Sequence, residues 1–119
     1  MKNKTFLFFA AVMFLFTVDS CQHHYPVSLV AADSLVYSNP KAALQKLDSL
    51  SLCLDTTQKA DVMYLRLLKM TAKDKLYMSF GTLDSVQSLA KYYEEEGDKH
   101  LLPRAYYMLG RRLCEIGRA

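Results

Sequence analysis

Apolar residues recur at intervals of three and four along most of the chain after residue 26. This spacing places them on one side of an α-helix. The clearest case lies in residues 98–119, where the apolar positions are Leu102, Ala105, Tyr106, Leu109, Leu113 and Ile116. No segment alternates between polar and apolar residues for long enough to indicate a strand. The pattern therefore predicts an all-α fold.

Capping residues mark the place where the first two helices meet. A short amphipathic segment over residues 27–37 is followed by Asn39-Pro40. Asn is a good N-cap and proline fits the first helical position, so a second helix is predicted to begin there. The apolar side of this second helix contains Ala43, Leu44, Leu47 and Leu50. The two helices are predicted to form a hairpin.

Three further helices are predicted from similar signals. An Asp-Thr-Thr sequence at 55–57 precedes a helix expected over about residues 59–78. Gly81 can then take a left-handed conformation, and Thr82 is a good cap for the fourth helix. Gly97-Asp98 ends that helix and caps the fifth.

The N-terminus has the pattern of an export signal. Lys2 and Lys4 precede an unbroken apolar run over residues 6–16. This run is shorter than the roughly 20 residues that span a bilayer, which favours a secretory signal over a stable anchor. The sequence Val-Asp-Ser-Cys follows at 18–21, and a small residue directly before a cysteine resembles the lipobox of bacterial lipoproteins. Asp19 departs from the small or apolar residue usual at its position.

The lipobox resemblance implies a signal peptide over residues 1–20 and acylation of Cys21, for example with palmitate. Residues 21–26 would then form a solvated tether between the lipid and the fold. No acidic cluster follows Cys21. In some bacterial groups such a cluster resembles a signal for display on the cell surface. Its absence therefore favours the periplasmic side for a lipid-anchored protein of the cell envelope. Cleaved secretion and an uncleaved anchor are the alternatives.

Composition limits the size of the fold and the class of partner. A chain of 119 residues has room for one small domain. The formal net charge is +3, and loss of residues 1–20 with Lys2, Lys4 and Asp19 leaves +2. This balance is too weak to indicate nucleic-acid binding.

Few residues offer catalytic or metal-binding chemistry. The pair His23-His24 has no third ligand at a familiar spacing. The carboxylates at 94–96 are adjacent in sequence and therefore point in different directions on a helix. The chain has no Gly-rich phosphate loop, no GxSxG and no HExxH. We therefore predict no catalytic residue, no metal and no cofactor, and we expect the protein not to be an enzyme.

Two cysteines remain once Cys21 is assigned to a lipid. Cys53 and Cys114 have no CxxC neighbour and no nearby histidine. Both are interpreted as small buried residues. An oxidising periplasm would allow them to pair, and their spacing leaves this question open.

A faint internal repeat relates the third and fifth helices. A shift of 42 residues aligns Tyr64 with Tyr106 and Leu67 with Leu109. The later copy reads aromatic, Leu-Gly, apolar, Gly at residues 106, 109–110, 113 and 117. This order resembles the first helix of a tetratricopeptide repeat. In the earlier copy Leu68 stands in place of the expected glycine.

The phrases ADSL, NPKAAL and EEEGDKHLLPRAYYMLG extend this resemblance to the amino-terminal part of tetratricopeptide lipoproteins of Bacteroidetes-type bacteria. The resemblance implies an α-solenoid of antiparallel helix hairpins over residues 27–119. Its parts would be a short hairpin at 27–54, a degenerate repeat at 59–97 and the first helix of an incomplete repeat at 98–119. The packing residues it implies are Tyr64, Leu67, Ala90, Tyr93, Tyr106, Leu109, Gly110, Leu113 and Gly117.

Such arrays bind ligands on a concave face. The groove residues that the resemblance implies are Val62, Leu65, Lys69, Arg104, Tyr107 and Arg111. Arginines recur every seven residues at 104, 111 and 118, and an arginine can hold a peptide carboxylate by two hydrogen bonds. A solvated basic face is the alternative interpretation.

The expected function is therefore that of a membrane-tethered helical-repeat module that binds another protein or a peptide, without catalysis. One alternative is a truncated fragment of a longer tetratricopeptide sensor or regulator. Another is a metal-binding or enzymatic lipoprotein. The fourth helix can cover the apolar stripe of the last helix only in part, so self-association through that stripe is also expected.

Overall fold

The structure is a computed structural model that describes residues 23–118. Within this range it contains five α-helices and no strand, so the all-α prediction is confirmed. The helices are α1 (Val27–Leu35), α2 (Pro40–Cys53), α3 (Lys59–Lys75), α4 (Leu83–Glu95) and α5 (Leu102–Arg118). The predicted signal peptide and Cys21 lie outside the described residues. No helix in the described range is long and apolar enough to cross a membrane.

Side-chain caps begin two of the helices. The Asn39 side chain accepts a hydrogen bond from the backbone N–H of Ala42 at the start of α2. The Thr82 side chain accepts one from the backbone N–H of Ser85 at the start of α4. Each bond satisfies a backbone N–H group that has no partner inside its helix. Both predicted caps are confirmed.

The other two predicted caps act one turn earlier than expected. Asp55 accepts hydrogen bonds from the backbone N–H and the hydroxyl of Thr57, and α3 begins afterwards without a side-chain cap. Asp98 accepts a hydrogen bond from the backbone N–H of His100, and α5 begins at Leu102. Both aspartates therefore shape the turn before a helix, as Asx turns do.

Helix α3 ends three residues before the predicted boundary. Tyr77 has a φ of 57°, in the left-handed region, and the next N–H donates to the carbonyl of Lys73 at 2.9 Å. Helices often end with a glycine in this left-handed conformation. A tyrosine at the same position does not indicate a helix end in the sequence, which is why the boundary was predicted too late. Gly81 follows with a φ of 153°, which also favours glycine.

Helix α3 lies at the centre of the fold. It packs against α2 and α4, its neighbours in sequence, and also against α1 and α5. The predicted apolar stripes meet around it, and the largest fully buried side chains are Leu29, Val36, Leu47, Leu67, Leu68, Val86, Leu89, Tyr93 and Met108. These residues form one continuous core.

Two cysteines and part of the last helix are not in that core. Cys53 and Cys114 are exposed free thiols. The prediction that they are buried is therefore wrong. Cys53 is the last residue of α2, and Cys114 lies on a side of α5 that no described helix covers.

Candidate functional site

The odd-numbered helices are neighbours in the packing of the molecule. Helix α1 packs against α3, and α3 packs against α5. Helices α2 and α4 do not contact each other within the described range. We call the surface formed by α1, α3 and α5 the inner face.

An ion pair spans the inner face. The Arg104 guanidinium on α5 donates two hydrogen bonds to the Asp33 carboxylate on α1, both at 2.9 Å. The hydroxyl of Tyr64 on α3 donates to the same carboxylate. Each of the three inner helices thus supplies one member of the cluster.

The surroundings of Asp33 hold this carboxylate in its charged form. Partial burial alone would raise the pKa of Asp33, but hydrogen bonds from Arg104 and Tyr64 outweigh that effect and lower it. Burial and the hydrogen bond to Asp33 together raise the pKa of Tyr64. The cluster therefore contains a carboxylate, a guanidinium and a neutral phenol, and it serves to join helices.

A second ion pair joins α3 to α5. Two nitrogens of Arg111 contact Asp74 Oδ1 at 3.2 and 3.0 Å. Asp74 is only 8% exposed, so Arg111 neutralises a buried carboxylate. Both arginines predicted for the groove are therefore engaged with carboxylates of the chain itself.

The remaining groove candidates lie apart from these arginines. Lys69 faces α2, where its ammonium group lies 3.0 Å from Asp48 and 3.1 Å from the Ser51 hydroxyl. Leu65 is 7% exposed and belongs to the core. Val62 is half-buried, and Tyr107 is 54% exposed on α5. Of the six candidates, Arg104 and Tyr107 line one cavity together.

That cavity lies on the inner face and has a volume of about 390 Å³. Its lining combines aromatic, cationic and apolar side chains: Tyr37, Thr71, Lys75, Pro103, Arg104, Tyr107 and Met108. We call it the inner cavity. The Lys75 ammonium lies 5.4 Å from the ring centroid of Tyr37, and the Arg104 guanidinium lies 5.8 Å from the same ring.

No pattern in the sequence marks Tyr37 or Lys75 as a site residue. Tyr37 follows α1 and Lys75 ends α3, so 38 positions separate them in the sequence. Their cation–π contact depends on how the two helices pack, and no local pattern indicates it. Lys75 has no carboxylate partner among residues 23–118, unlike the three cations predicted for the groove.

A second cavity, of about 290 Å³, lies where the segment before α1 meets the turn between α4 and α5. His23 Nε2 lies 2.6 Å from Asp61 Oδ1, and the ring of Tyr25 packs on that of Tyr64 with centroids 4.4 Å apart. Burial and the nearby Asp98 raise the pKa of Tyr25 to about 12. Residues 23–25 therefore rest on the fold, which differs from the solvated tether expected from the sequence.

Metal-binding geometry is not found in this second cavity or elsewhere in the described part of the chain. No three His, Cys, Asp or Glu side chains there come together as a metal site requires. His23, which precedes His24 in the sequence, contacts a single carboxylate, that of Asp61.

The repeat-packing candidates separate into a buried group and an exposed group. Tyr64, Leu67, Ala90 and Tyr93 are at most 5% exposed. On α5, by contrast, Tyr106 is 45% exposed and Leu113 is 50% exposed. Leu109 is partly buried against the core. Apart from the neighbouring backbone of α5 itself, a Cβ atom added at Gly110 or Gly117 would meet no described atom within 4 Å.

This exposed group lies on a different side of α5 from the inner face. Residues 106, 110, 113 and 117 are spaced by three and four, so they share one side of the helix. Arg104, Tyr107 and Arg111 have the same spacing on another side. Within the described range no helix covers the first group, which we call the α5 apolar face.

Comparison with known proteins identifies no relative of this chain. A scan of protein-family models finds no match to the chain, and searches of curated proteins and of solved structures find none either.

Proposed function

We propose that the chain is a membrane-tethered helical-repeat module that binds a protein or a peptide on its inner face. The observation that carries the proposal is that α3 packs against both α1 and α5, whereas α2 and α4 do not contact each other in the described range. Stacked helix hairpins of the tetratricopeptide type alternate in this way and present an extended concave surface to ligands. In this proposal the five helices are two hairpins and the first helix of a third.

The inner cavity supports a peptide as the ligand. Its volume of about 390 Å³ falls in the range of ligand pockets, roughly 300–1,000 Å³. Tyr37 and Tyr107 offer flat apolar surface, while Lys75 offers a charge that no carboxylate of the described range neutralises. Arg104 Nε is buried without a hydrogen-bond partner in that range. This lining suits an apolar side chain that is followed closely by a carboxylate.

The membrane tether forms the second part of the proposal. If Cys21 carries the lipid, two residues along the chain lead to His23, which contacts Asp61 on α3. Two residues of fully extended chain span at most about 7 Å. The fold would then lie close to the lipid headgroups, with its inner face available to a ligand at the membrane.

Peptide selection tests the binding part. The full chain, in a non-ionic detergent, is screened against a displayed library of random peptides, and the Kd of each selected peptide is measured by calorimetry. We expect Tyr107→Ala and Lys75→Glu each to weaken binding about tenfold or more. Leu52→Ala is the control, because Leu52 is 91% exposed on α2, away from the inner face. Failure to select any peptide, or equal binding to all variants, contradicts the proposal.

Labelling with palmitate tests the tether part. Expressed in a bacterium, the full chain is expected to incorporate radiolabelled palmitate, and Cys21→Ser is expected to abolish the label. Cys53→Ser and Cys114→Ser are matched controls that remove an exposed thiol elsewhere. Equal labelling of the Cys21→Ser chain would show that the lipid is not attached at that residue.

A further inference from the structure

We propose that a third cavity, between α3 and the start of α4, binds a phosphate monoester. The cavity has a volume of about 410 Å³. Its lining comes from α3, the segment that follows it and the first turn of α4: Arg66, Lys69, Met70, Lys73, Phe80 and Ser85. We call it the basic cavity. It goes beyond the proposed peptide binding, because Thr71 and Lys75 of the inner cavity lie on the opposite side of α3.

The three cations of the basic cavity lie on one side of α3. Arg66, Lys69 and Lys73 are spaced by three and four residues, which places them next to one another along the helix. From first to last they span about 10 Å of the helix axis. No acidic side chain of the described residues lines the cavity. An anion in this space would therefore meet positive charge from three side chains.

The ion pairs of the chain leave two of these cations available to an anion. The Lys69 ammonium lies 3.0 Å from Asp48 on α2, so this carboxylate offsets its charge. Arg66 and Lys73 have no carboxylate partner in the described part of the chain. The Arg66 guanidinium instead lies 3.9 Å from the uncharged sulfur of Met63. The basic cavity therefore keeps two positive charges that no described carboxylate neutralises.

This charge matches a phosphate monoester better than a carboxylate. A phosphate monoester carries a charge of about −1.5 to −2 at pH 7, whereas a carboxylate carries a single negative charge. Its three terminal oxygens can accept hydrogen bonds from an arginine and a lysine at the same time. The arginine at position 66 offers a planar pair of donors, and the lysine at position 73 offers a compact charge.

The floor of the basic cavity provides room for the group that carries the phosphate. Met70 and Phe80 belong to the core and form this apolar floor. A volume of about 410 Å³ exceeds what a phosphate group alone fills. The remaining space suits a small carbon group such as glycerol.

The cation cluster weakens the fold when no anion is bound. Like charges three or four residues apart on a helix repel each other, and this applies to Arg66 with Lys69 and to Lys69 with Lys73. The contact with Asp48 offsets part of this repulsion. A bound phosphate would offset more of it and would stabilise the folded state. The Tm is therefore a direct measure of binding at this site.

Thermal melts of the full chain in a non-ionic detergent test the site, with glycerol 3-phosphate as the probe. We expect the probe to raise the Tm by about 4 °C or more relative to sodium chloride of equal ionic strength. Arg66→Gln and Lys73→Gln are each expected to weaken binding about tenfold or more in calorimetry, because each removes a charged hydrogen bond to the phosphate. Lys46→Gln is the matched control, since it removes the same charge from an exposed position of α2.

A lipid probe identifies the source of the phosphate. The same melts are repeated with phosphatidic acid, which carries a terminal phosphate monoester, or with phosphatidylcholine in the detergent micelles. Stabilisation by phosphatidic acid that Arg66→Gln and Lys73→Gln both lose indicates a lipid headgroup, and stabilisation by glycerol 3-phosphate alone indicates a soluble ligand. A Tm shift with neither probe, or an equal response of these two variants and Lys46→Gln, would overturn the proposal.

The basic cavity and the inner cavity can be tested independently of each other. Lys73→Gln is expected to leave peptide affinity at the inner face unchanged, and Lys75→Glu is expected to leave the response to phosphate unchanged. Either proposal can therefore fail while the other is supported.

Discussion

Arg104 and Asp33 are 71 residues apart in the sequence and form a two-point ion pair between α5 and α1. These two helices share no backbone contact within 8 Å, so side chains alone join them. Tyr64 completes the cluster from α3 between them. The pair therefore fixes how the last helix lies relative to the first, and with it the shape of the inner cavity that Arg104 lines.

Loss of this ion pair should destabilise the fold. We expect Arg104→Ala to lower the free energy of unfolding by about 2 kcal/mol, less than the ~3–5 kcal/mol of a fully buried pair, because both side chains are partly exposed. Urea denaturation of the full chain followed by circular dichroism measures the change. Arg118→Ala is the matched control, since it removes an exposed arginine from the last turn of the same helix. Similar losses in the two variants would contradict a specific role for the pair.

The same cluster predicts a dependence of stability on pH. The pKa of Asp33 is lower in the folded chain than in the unfolded chain. The unfolded state therefore binds a proton first, and the contribution of Asp33 is complete above about pH 4 and is lost as the pH falls further.

Urea midpoints between pH 7 and pH 3 measure this effect. We expect the Asp33→Asn chain to lose less stability over that interval than the original chain, although it is less stable at pH 7. Asp84→Asn removes an exposed carboxylate at the start of α4 and serves as the comparison. If Asp33→Asn and the original chain lose equal stability, the carboxylate does not carry the predicted linkage.

The helices were predictable because their signals are local. Apolar spacing and the caps at Asn39 and Thr82 depend on residues three or four positions apart, and the structure contains both caps. The candidate site was predicted less well, because its geometry depends on distant residues. Nothing near Arg104 in the sequence indicates that Asp33 binds it, and Lys75 meets Tyr37 only after the helices have packed. Charge spacing along one helix therefore identified cations but not their partners.

The end of α3 offers a stabilising substitution. Tyr77 has a φ of 57° and is 97% exposed, so its ring contributes little packing to offset the unfavourable backbone conformation. Glycine takes this conformation without a Cβ clash. We expect Tyr77→Gly to raise the free energy of unfolding by about 0.5–1 kcal/mol after the entropy of glycine in the unfolded chain is included.

Tyr77→Ala separates backbone strain from loss of the ring. Alanine keeps the Cβ atom and should therefore keep the strain, so we expect its stability to stay within about 0.5 kcal/mol of the original chain. Thermal melts of the two variants, in parallel, provide the measurement. A gain with alanine as large as that with glycine would show that removal of the exposed ring, and not release of strain, stabilises the fold.

Gly97 is expected to respond to substitution in the opposite sense from Gly110. A Cβ atom at Gly97 would lie 2.6 Å from Cδ1 of Tyr93 and 2.7 Å from Cε1 of Tyr92. Tyr93 is completely buried, so its ring cannot move away without disturbing the core between α4 and α5. We expect Gly97→Ala to lower the free energy of unfolding by about 1–3 kcal/mol, the usual range for overpacking.

Urea denaturation at low chain concentration measures the change without a contribution from association. Gly110→Ala, in which the new atom meets no neighbour, should be neutral or stabilising under the same conditions. Equal effects of the two changes would show that contact with the tyrosine rings does not determine the response at Gly97.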